Sequence, residues 1–196
     1  GWLRIAEASK AGIDRLTRLA EELRTAGYDR ALLLGMGGSS LAPEVFARTF
    51  GPANGYLDVS VIDSTDPDFI LSRAGELDYS KTLFIVSTKS GGTVETLSFF
   101  KYFYNRTVEA LGADKAGEHF LAITDPGSKL ADLAGEYKFR DTFLNDPDIG
   151  GRYSALSYFG LVPAALLGID LKRLLERAIE AGCGCGDPDC TGGGKG

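Results

Sequence analysis

Residues 87–93 read Ser87-Thr88-Lys89-Ser90-Gly91-Gly92-Thr93. Hydroxyls donate to oxygen, an ammonium supplies charge, and paired glycines free the backbone so that successive N–H groups converge on one point. Together these groups suit an anion that presents oxygen atoms, such as a phosphate. A second stretch of similar chemistry is Gly35-Met36-Gly37-Gly38-Ser39-Ser40. Its glycines permit a tight turn and a close backbone approach, and its serines offer hydroxyls to a helix end or to a ligand.

Both stretches sit where an apolar run gives way to a helical pattern. Thr82-Leu83-Phe84-Ile85-Val86 precedes the first, and residues 94–111 follow it with helical spacing. Ala31-Leu32-Leu33-Leu34 precedes the second, with a helix expected from about Leu41 to Phe50. The first N–H groups of a helix lack internal partners and carry partial positive charge, which favours phosphate.

The rest of the chain supplies the frame. Residues 4–26 read as one amphipathic helix closed by Gly27. Further strands are expected at 57–63 and 120–124, with a weak fifth at 139–143. Helices are expected at 68–74, 128–134, 153–167 and 171–181. Alternating strands and crossover helices imply a parallel sheet with helices on both faces. The expected fold is therefore a three-layer α/β/α sandwich around five parallel strands, flavodoxin-like, with helical N- and C-terminal additions. Ligands in such sheets bind beyond the carboxyl ends of the strands, so the turns after the first and third strands carry the most weight.

Composition narrows the partners. Net charge is −6 without a basic block, which argues against nucleic acid. No apolar run reaches membrane-spanning length, and residues 1–5 lack a signal-peptide pattern, so a cytoplasmic protein is expected. The three cysteines, Cys183, Cys185 and Cys190, crowd into a glycine-rich end. Their C-x-C-x4-C spacing is not a familiar zinc pattern, and the one histidine, His119, is remote in sequence and expected to be structural. No metal is expected. Residues 1–181 are taken as one domain and 182–196 as a flexible tail.

Three ligand readings compete at the first turn. Gly35-x-Gly37-x-x-Ser40, with Asp63 at the end of the second strand, nearly fits a dinucleotide fingerprint, but its third position is not Gly or Ala. A bare helix cap is the second possibility, and a phosphorylated small molecule is the third. The turn at 87–93 favours the last. A cap needs one hydroxyl, and a dinucleotide fold needs no anion cradle on the third strand.

The stretches Gly35-Met36-Gly37-Gly38-Ser39-Ser40-Leu41-Ala42-Pro43, residues 87–96 and Asp148-Ile149-Gly150-Gly151-Arg152-Tyr153-Ser154 resemble, in order, three motifs of the phosphoglucose isomerase family. The first two also mark the wider sugar isomerase (SIS) domain class, and the third is specific to the isomerases. The glycine-rich second turn resembles bacterial forms fused to transaldolase. The resemblance runs from about Ala31 to Asp170. It implies a SIS domain that binds glucose 6-phosphate and fructose 6-phosphate, in glycolysis and gluconeogenesis, with no cofactor.

By that resemblance Ser39, Thr88, Lys89, Ser90 and Thr93 form the phosphate pocket. The backbone at Gly38 and Gly151 approaches the sugar. Arg152 sits by the reacting carbons, and Glu95 supports a ring-opening histidine. Isomerisation through an enediolate needs a carboxylate base, a cation for the developing oxyanion and an acid/base for ring opening. The family takes its catalytic glutamate, histidine and terminal lysine from a second lobe downstream, and is usually dimeric. Two expectations follow: an isomerase lobe inactive without that second lobe, or a stand-alone SIS module that binds sugar phosphates without turnover. The plainer alternative for Arg152 is a surface ion pair with Asp148.

Overall fold

The computed structural model describes residues 2–183. Cys185 and Cys190, and most of the expected tail, lie outside the described residues; Cys183 ends the last helix.

Five strands form one sheet: β1 (Arg30–Gly35), β2 (Asp58–Ile62), β3 (Thr82–Ser87), β4 (Phe120–Thr124) and β5 (Asp141–Leu144). Every pairing is parallel and the order is β2-β1-β3-β4-β5. The helices in chain order are α1 (Ile5–Ser9), α2 (Ile13–Thr25), α3 (Gly38–Phe50), α4 (Pro67–Gly75), α5 (Val94–Leu111), α6 (Ala113–Ala116), α7 (Lys129–Glu136), α8 (Tyr158–Leu166) and α9 (Leu171–Cys183). The expected three-layer α/β/α architecture is present.

Side chains alternate between faces along a strand. On β1, Ala31 and Leu33 enter one core while Leu32 and Leu34 enter the other. Both faces are covered, which is why the run is apolar throughout rather than alternating. The first core is closed by α2, α3, α8 and α9 through Leu16, Leu19, Leu23, Phe46, Leu161 and Leu175. The terminal helices are therefore the greater part of a layer, not appendages. The second core is closed by α4, α5 and α7. Phe84 of β3 stacks on Phe103 of α5 and Phe120 of β4, with ring centroids 5.3 and 4.9 Å apart. Burying one such ring stabilises by about 1.5–3 kcal/mol, and here it packs the middle of α5 onto the sheet.

Three boundaries differ from the sequence expectation, each for a local reason. The first helix is not continuous: a 3-10 turn at Lys10–Gly12 separates α1 from α2. Tyr158 lies against Gly12, 3.1 Å from where a β-carbon would stand, so a small, poorly helical residue occupies the contact. The helix after β1 starts at Gly38 rather than near Leu41, because Gly37 makes the turn at φ +56°. The helix expected at 153–167 starts only at Tyr158, where the Ser157 hydroxyl accepts from the Phe159 N–H. Among the described residues no helix is long and apolar enough to cross a membrane.

Candidate functional site

Strands β1 and β3 are neighbours, with Gly35 in register with Ser87. The chain leaves β1 toward β2 on one side, while β3 to β5 extend on the other. Their carboxyl ends therefore frame the topological switch point, where doubly wound sheets bind ligands. Both candidate turns lie there.

In the first turn Gly37 adopts φ +56° and ψ −124°, a conformation open to glycine, and α3 begins at once. Ser40 donates its hydroxyl back to the Gly37 carbonyl at 2.9 Å. Ser39, beside it, is buried. Pro43 sits inside α3 and cannot donate to the carbonyl of residue 39. The Ser87 hydroxyl fills that place, donating to the Ser39 carbonyl at 3.4 Å. The end of β3 thus holds the start of α3.

In the second turn the Thr88 and Thr93 hydroxyls meet at 2.9 Å, closing the loop across Ser90, Gly91 and Gly92. Ser90 is exposed and accepts from the Gly92 N–H at 3.3 Å. Gly91 has φ +70°, and a β-carbon there would stand 2.6 Å from the Leu130 nitrogen. That glycine is required by packing on α7 as well as by the turn. Lys89, expected in the phosphate pocket, has protein partners of its own. Its ammonium pairs with Asp125 and donates to the Pro147 carbonyl at 2.7 Å.

The helices that follow strands divide into two kinds. After β2 and β4 a side chain caps the helix: Asp66 accepts from the Phe69 N–H in α4, and Ser128 from the Ala131 N–H in α7. After β1 and β3 no side chain caps α3 or α5, although serines and threonines stand at hand. Thr93 occupies the cap position of α5, yet its hydroxyl turns to Thr88. Among the described helices that follow a strand, the uncapped starts are the two at the switch point, so the cap alternative does not account for these hydroxyls.

The third stretch comes to the same place. Gly151 begins a 3-10 turn, Gly151–Tyr153, whose backbone lies against Gly38. Ser154 fixes the turn by donating to the Gly151 carbonyl at 2.6 Å. Arg152 is exposed and, among the described residues, pairs with no carboxylate; Asp148, its expected alternative partner, instead gives its own N–H to the Asp146 carboxylate. Glu95 is exposed in the first turn of α5. Trp2 stacks on Tyr153 with centroids 5.4 Å apart, so the N-terminal segment borders the same loop.

Two residues of this region escape sequence reasoning. Ser87 belongs by type to the hydroxyl cluster, but its work is structural. Asp125 carries no motif, although Asp125-Pro126-Gly127 is the turn after β4 and lies at the same sheet end. That position is the available signal. His119 stands at the opposite, amino end of the sheet, where its Nδ1–H donates to the Thr82 carbonyl at 3.1 Å. Among the described residues no group of three or more His, Cys, Asp or Glu could hold a metal ion.

The family model for phosphoglucose isomerase matches residues 14–181. The chain belongs to the phosphoglucose isomerase family. A glucose-6-phosphate isomerase of Synechococcus sp. (strain JA-2-3B'a(2-13)) is 35% identical over 189 residues, covering 89% of this chain and 34% of that protein. One from Cyanothece sp. (strain PCC 7425 / ATCC 29141) is 41% identical over 148 residues, covering 74% and 27%. Among solved structures, a hypothetical protein of Thermus thermophilus superposes with a TM-score of 0.82 at 32% identity, covering 96% of this chain and 44% of that one. A glucose-6-phosphate isomerase of Chlamydia trachomatis gives 0.72 at 26% identity, covering 89% and 33%. This phosphoglucose isomerase family chain spans about a third of the length of the curated relatives it matches.

Proposed function

We propose that this chain is the phosphate-binding lobe of a glucose-6-phosphate isomerase, interconverting glucose 6-phosphate and fructose 6-phosphate. The observation that carries this is the meeting of two uncapped helix starts and the Gly151–Tyr153 turn at one sheet end. Ser39, Thr88, Ser90 and Thr93 hold the phosphate with the N–H groups of both helix starts. Lys89 serves the same site indirectly, through Asp125 and Pro147. The phosphate is remote from the chemistry, and its binding energy orients the sugar. Gly38 and Gly151 let the backbone come close to that sugar.

Arg152 stabilises the oxyanion of the enediolate, for which a guanidinium that stays charged is suited. Glu95 supports ring opening. The catalytic base comes from a second lobe, in the part of its relatives' length that this chain does not span, and a homodimer in the cytoplasm is the working form. A module that only binds sugar phosphates has no use for an arginine kept clear of carboxylates beside the bound sugar. Calorimetry tests the proposal: 6-phosphogluconate and fructose 6-phosphate bind this chain and NAD does not. Tight NAD binding without a sugar-phosphate signal would overturn it.

A further inference from the structure

The type and place of Lys89 lead one to expect it at the anion, and its contacts point elsewhere. The ammonium is shared between the Asp125 carboxylate after β4 and the Pro147 carbonyl after β5. It is 35% exposed and the carboxylate only 15%. The second oxygen of Asp125, Oδ1, is buried without a partner among the described residues, so Lys89 is the side chain that satisfies this carboxylate. An ammonium has three donors and no acceptor; two donors are spent here, and its charge is offset at contact distance.

The same two turns are joined through the backbone. The Asp125 N–H donates to the Lys89 carbonyl at 3.2 Å, and the Thr124 hydroxyl donates to that carbonyl at 3.3 Å. The turn after β5 is tied at its ends: the Asn145 N–H donates to the Thr124 carbonyl at 2.9 Å, the Asn145 Oδ1 accepts from the Tyr158 N–H at 3.0 Å, and the Ser9 hydroxyl donates to the Leu156 carbonyl at 2.7 Å. Among the described residues, the bonds made by 146–150 are otherwise local: Ile149 N–H to the Asp146 carbonyl, Asp148 N–H to the Asp146 carboxylate, and Tyr153 N–H to the Gly150 carbonyl. Proline has no N–H of its own to give. Among the described residues, the Lys89 bond to Pro147 is the hydrogen bond that ties the 146–150 stretch, between those ends, to another part of the chain. Five residues later comes Arg152.

We infer that Lys89 is a positioning residue: with Asp125 it forms a clamp on Pro147 that fixes the loop carrying Gly151 and Arg152. It rests on the phosphosugar reading only for the purpose of the clamp; the clamp itself is a property of the described residues. The division of labour is then clear. Hydroxyls and backbone N–H groups receive the phosphate, while the lysine of the same turn couples the phosphate site to the loop at the sugar.

The test uses this chain with Lys89→Met, Asp125→Asn, the double variant and Lys89→Arg, reading amide hydrogen exchange and affinity for 6-phosphogluconate. The clamp predicts that Lys89→Met and Asp125→Asn both speed exchange at Ile149 and Tyr153 by about tenfold or more, with core amides of β3 and β4 unchanged. The double variant does no more than Lys89→Met alone, because Lys89→Met already removes the bond to Pro147 and Asp125→Asn acts only through that lysine. It also leaves no stranded carboxylate, so it reports even if Lys89→Met folds poorly. Lys89→Arg, which keeps charge and donors, restores protection. Affinity falls by less than about threefold in each. Unchanged exchange at Ile149 and Tyr153 would overturn the clamp. So would a loss of affinity of about tenfold in Lys89→Met together with tighter binding in Asp125→Asn, the signature of a direct ligand held back by its partner. If no variant and not the parent binds sugar phosphate, the functional reading fails, and exchange still decides the clamp.

Discussion

A β-carbon on Gly38 would stand 2.6 Å from the carbonyl carbon of Gly151 and 2.7 Å from its oxygen. Two stretches far apart in sequence thus meet backbone to backbone, and the start of α3 is held against the turn that carries Arg152. Neither partner is a flexible side chain that could swing aside.

The contact is one-sided, which makes it testable. A β-carbon on Gly151 would find only the Gly38 Cα at 3.7 Å, an ordinary contact. Gly38→Ala should therefore destabilise by about 1–3 kcal/mol through overpacking, and Gly151→Ala by clearly less. Urea denaturation of the two variants gives the comparison. Equal costs, or a neutral Gly38→Ala, would contradict the close approach.

The Thr88 and Thr93 hydroxyls are paired at 2.9 Å, and Thr88 is buried. Thr93→Val leaves the Thr88 hydroxyl without its partner and should cost about 1 kcal/mol of stability. It should also weaken 6-phosphogluconate binding by up to about tenfold, since one neutral donor is lost. The double Thr88→Val/Thr93→Val variant should cost less stability than the two single changes added, because no hydroxyl is left stranded. Strict additivity would mean that the two hydroxyls act separately.

The sheet was legible because each strand is a short apolar run bounded by turn residues, and parallel strands covered on both faces leave that mark. The two switch-point turns were legible because glycine and hydroxyl residues cluster there beyond what a helix end requires. Lys89 was not. Its type announces a charge, but the carboxylate that holds it comes from Asp125, beyond α5, α6 and β4, and sequence spacing carries no record of that contact. The break at Gly12 is hidden for a similar reason: its cause is Tyr158, which arrives from the far end of the domain. Long-range pairings of this kind decide whether a group faces ligand or protein.

Arg152 is exposed in a short 3-10 turn and pairs with no carboxylate among the described residues. Arg152→Ala should change the stability of this chain by no more than about 0.5 kcal/mol. In a protein that also carries the second lobe, the same change should, on the proposed role, lower kcat strongly and leave KM nearly unaltered, since an enediolate oxyanion exists only in the transition state and intermediate. Arg152→Lys should rescue poorly, because an ammonium lacks the planar fork. A normal kcat with a large rise in KM would move Arg152 to substrate binding.

His119 sets a pH dependence remote from the site. Burial holds it below its ordinary value of 6.5; the hydrogen bond to Thr82 opposes that shift and nearby Arg140 adds to it. The unfolded chain takes up this proton near 6.5 and the folded chain only at lower pH. Stability should thus fall as pH drops from about 6.5 toward the folded value, and this contribution should then level off. The chain has one histidine, so the assignment is clean. Denaturation midpoints at about pH 7.5 and about pH 5.5 should differ more in the parent than in His119→Asn. The same difference in both would remove His119 from the account.

The central claim is that the turns after β1 and β3 form one phosphate site facing the Gly151–Tyr153 turn. A crystal of this chain soaked with fructose 6-phosphate tests it most directly. The phosphate should lie within hydrogen-bond distance, about 3 Å, of the Ser39, Thr88, Ser90 and Thr93 hydroxyls, with the sugar running toward Gly151 and Arg152. A sugar phosphate bound elsewhere on the surface, or a site at the first turn that takes NAD beside Asp63 and leaves the second turn empty, would contradict it.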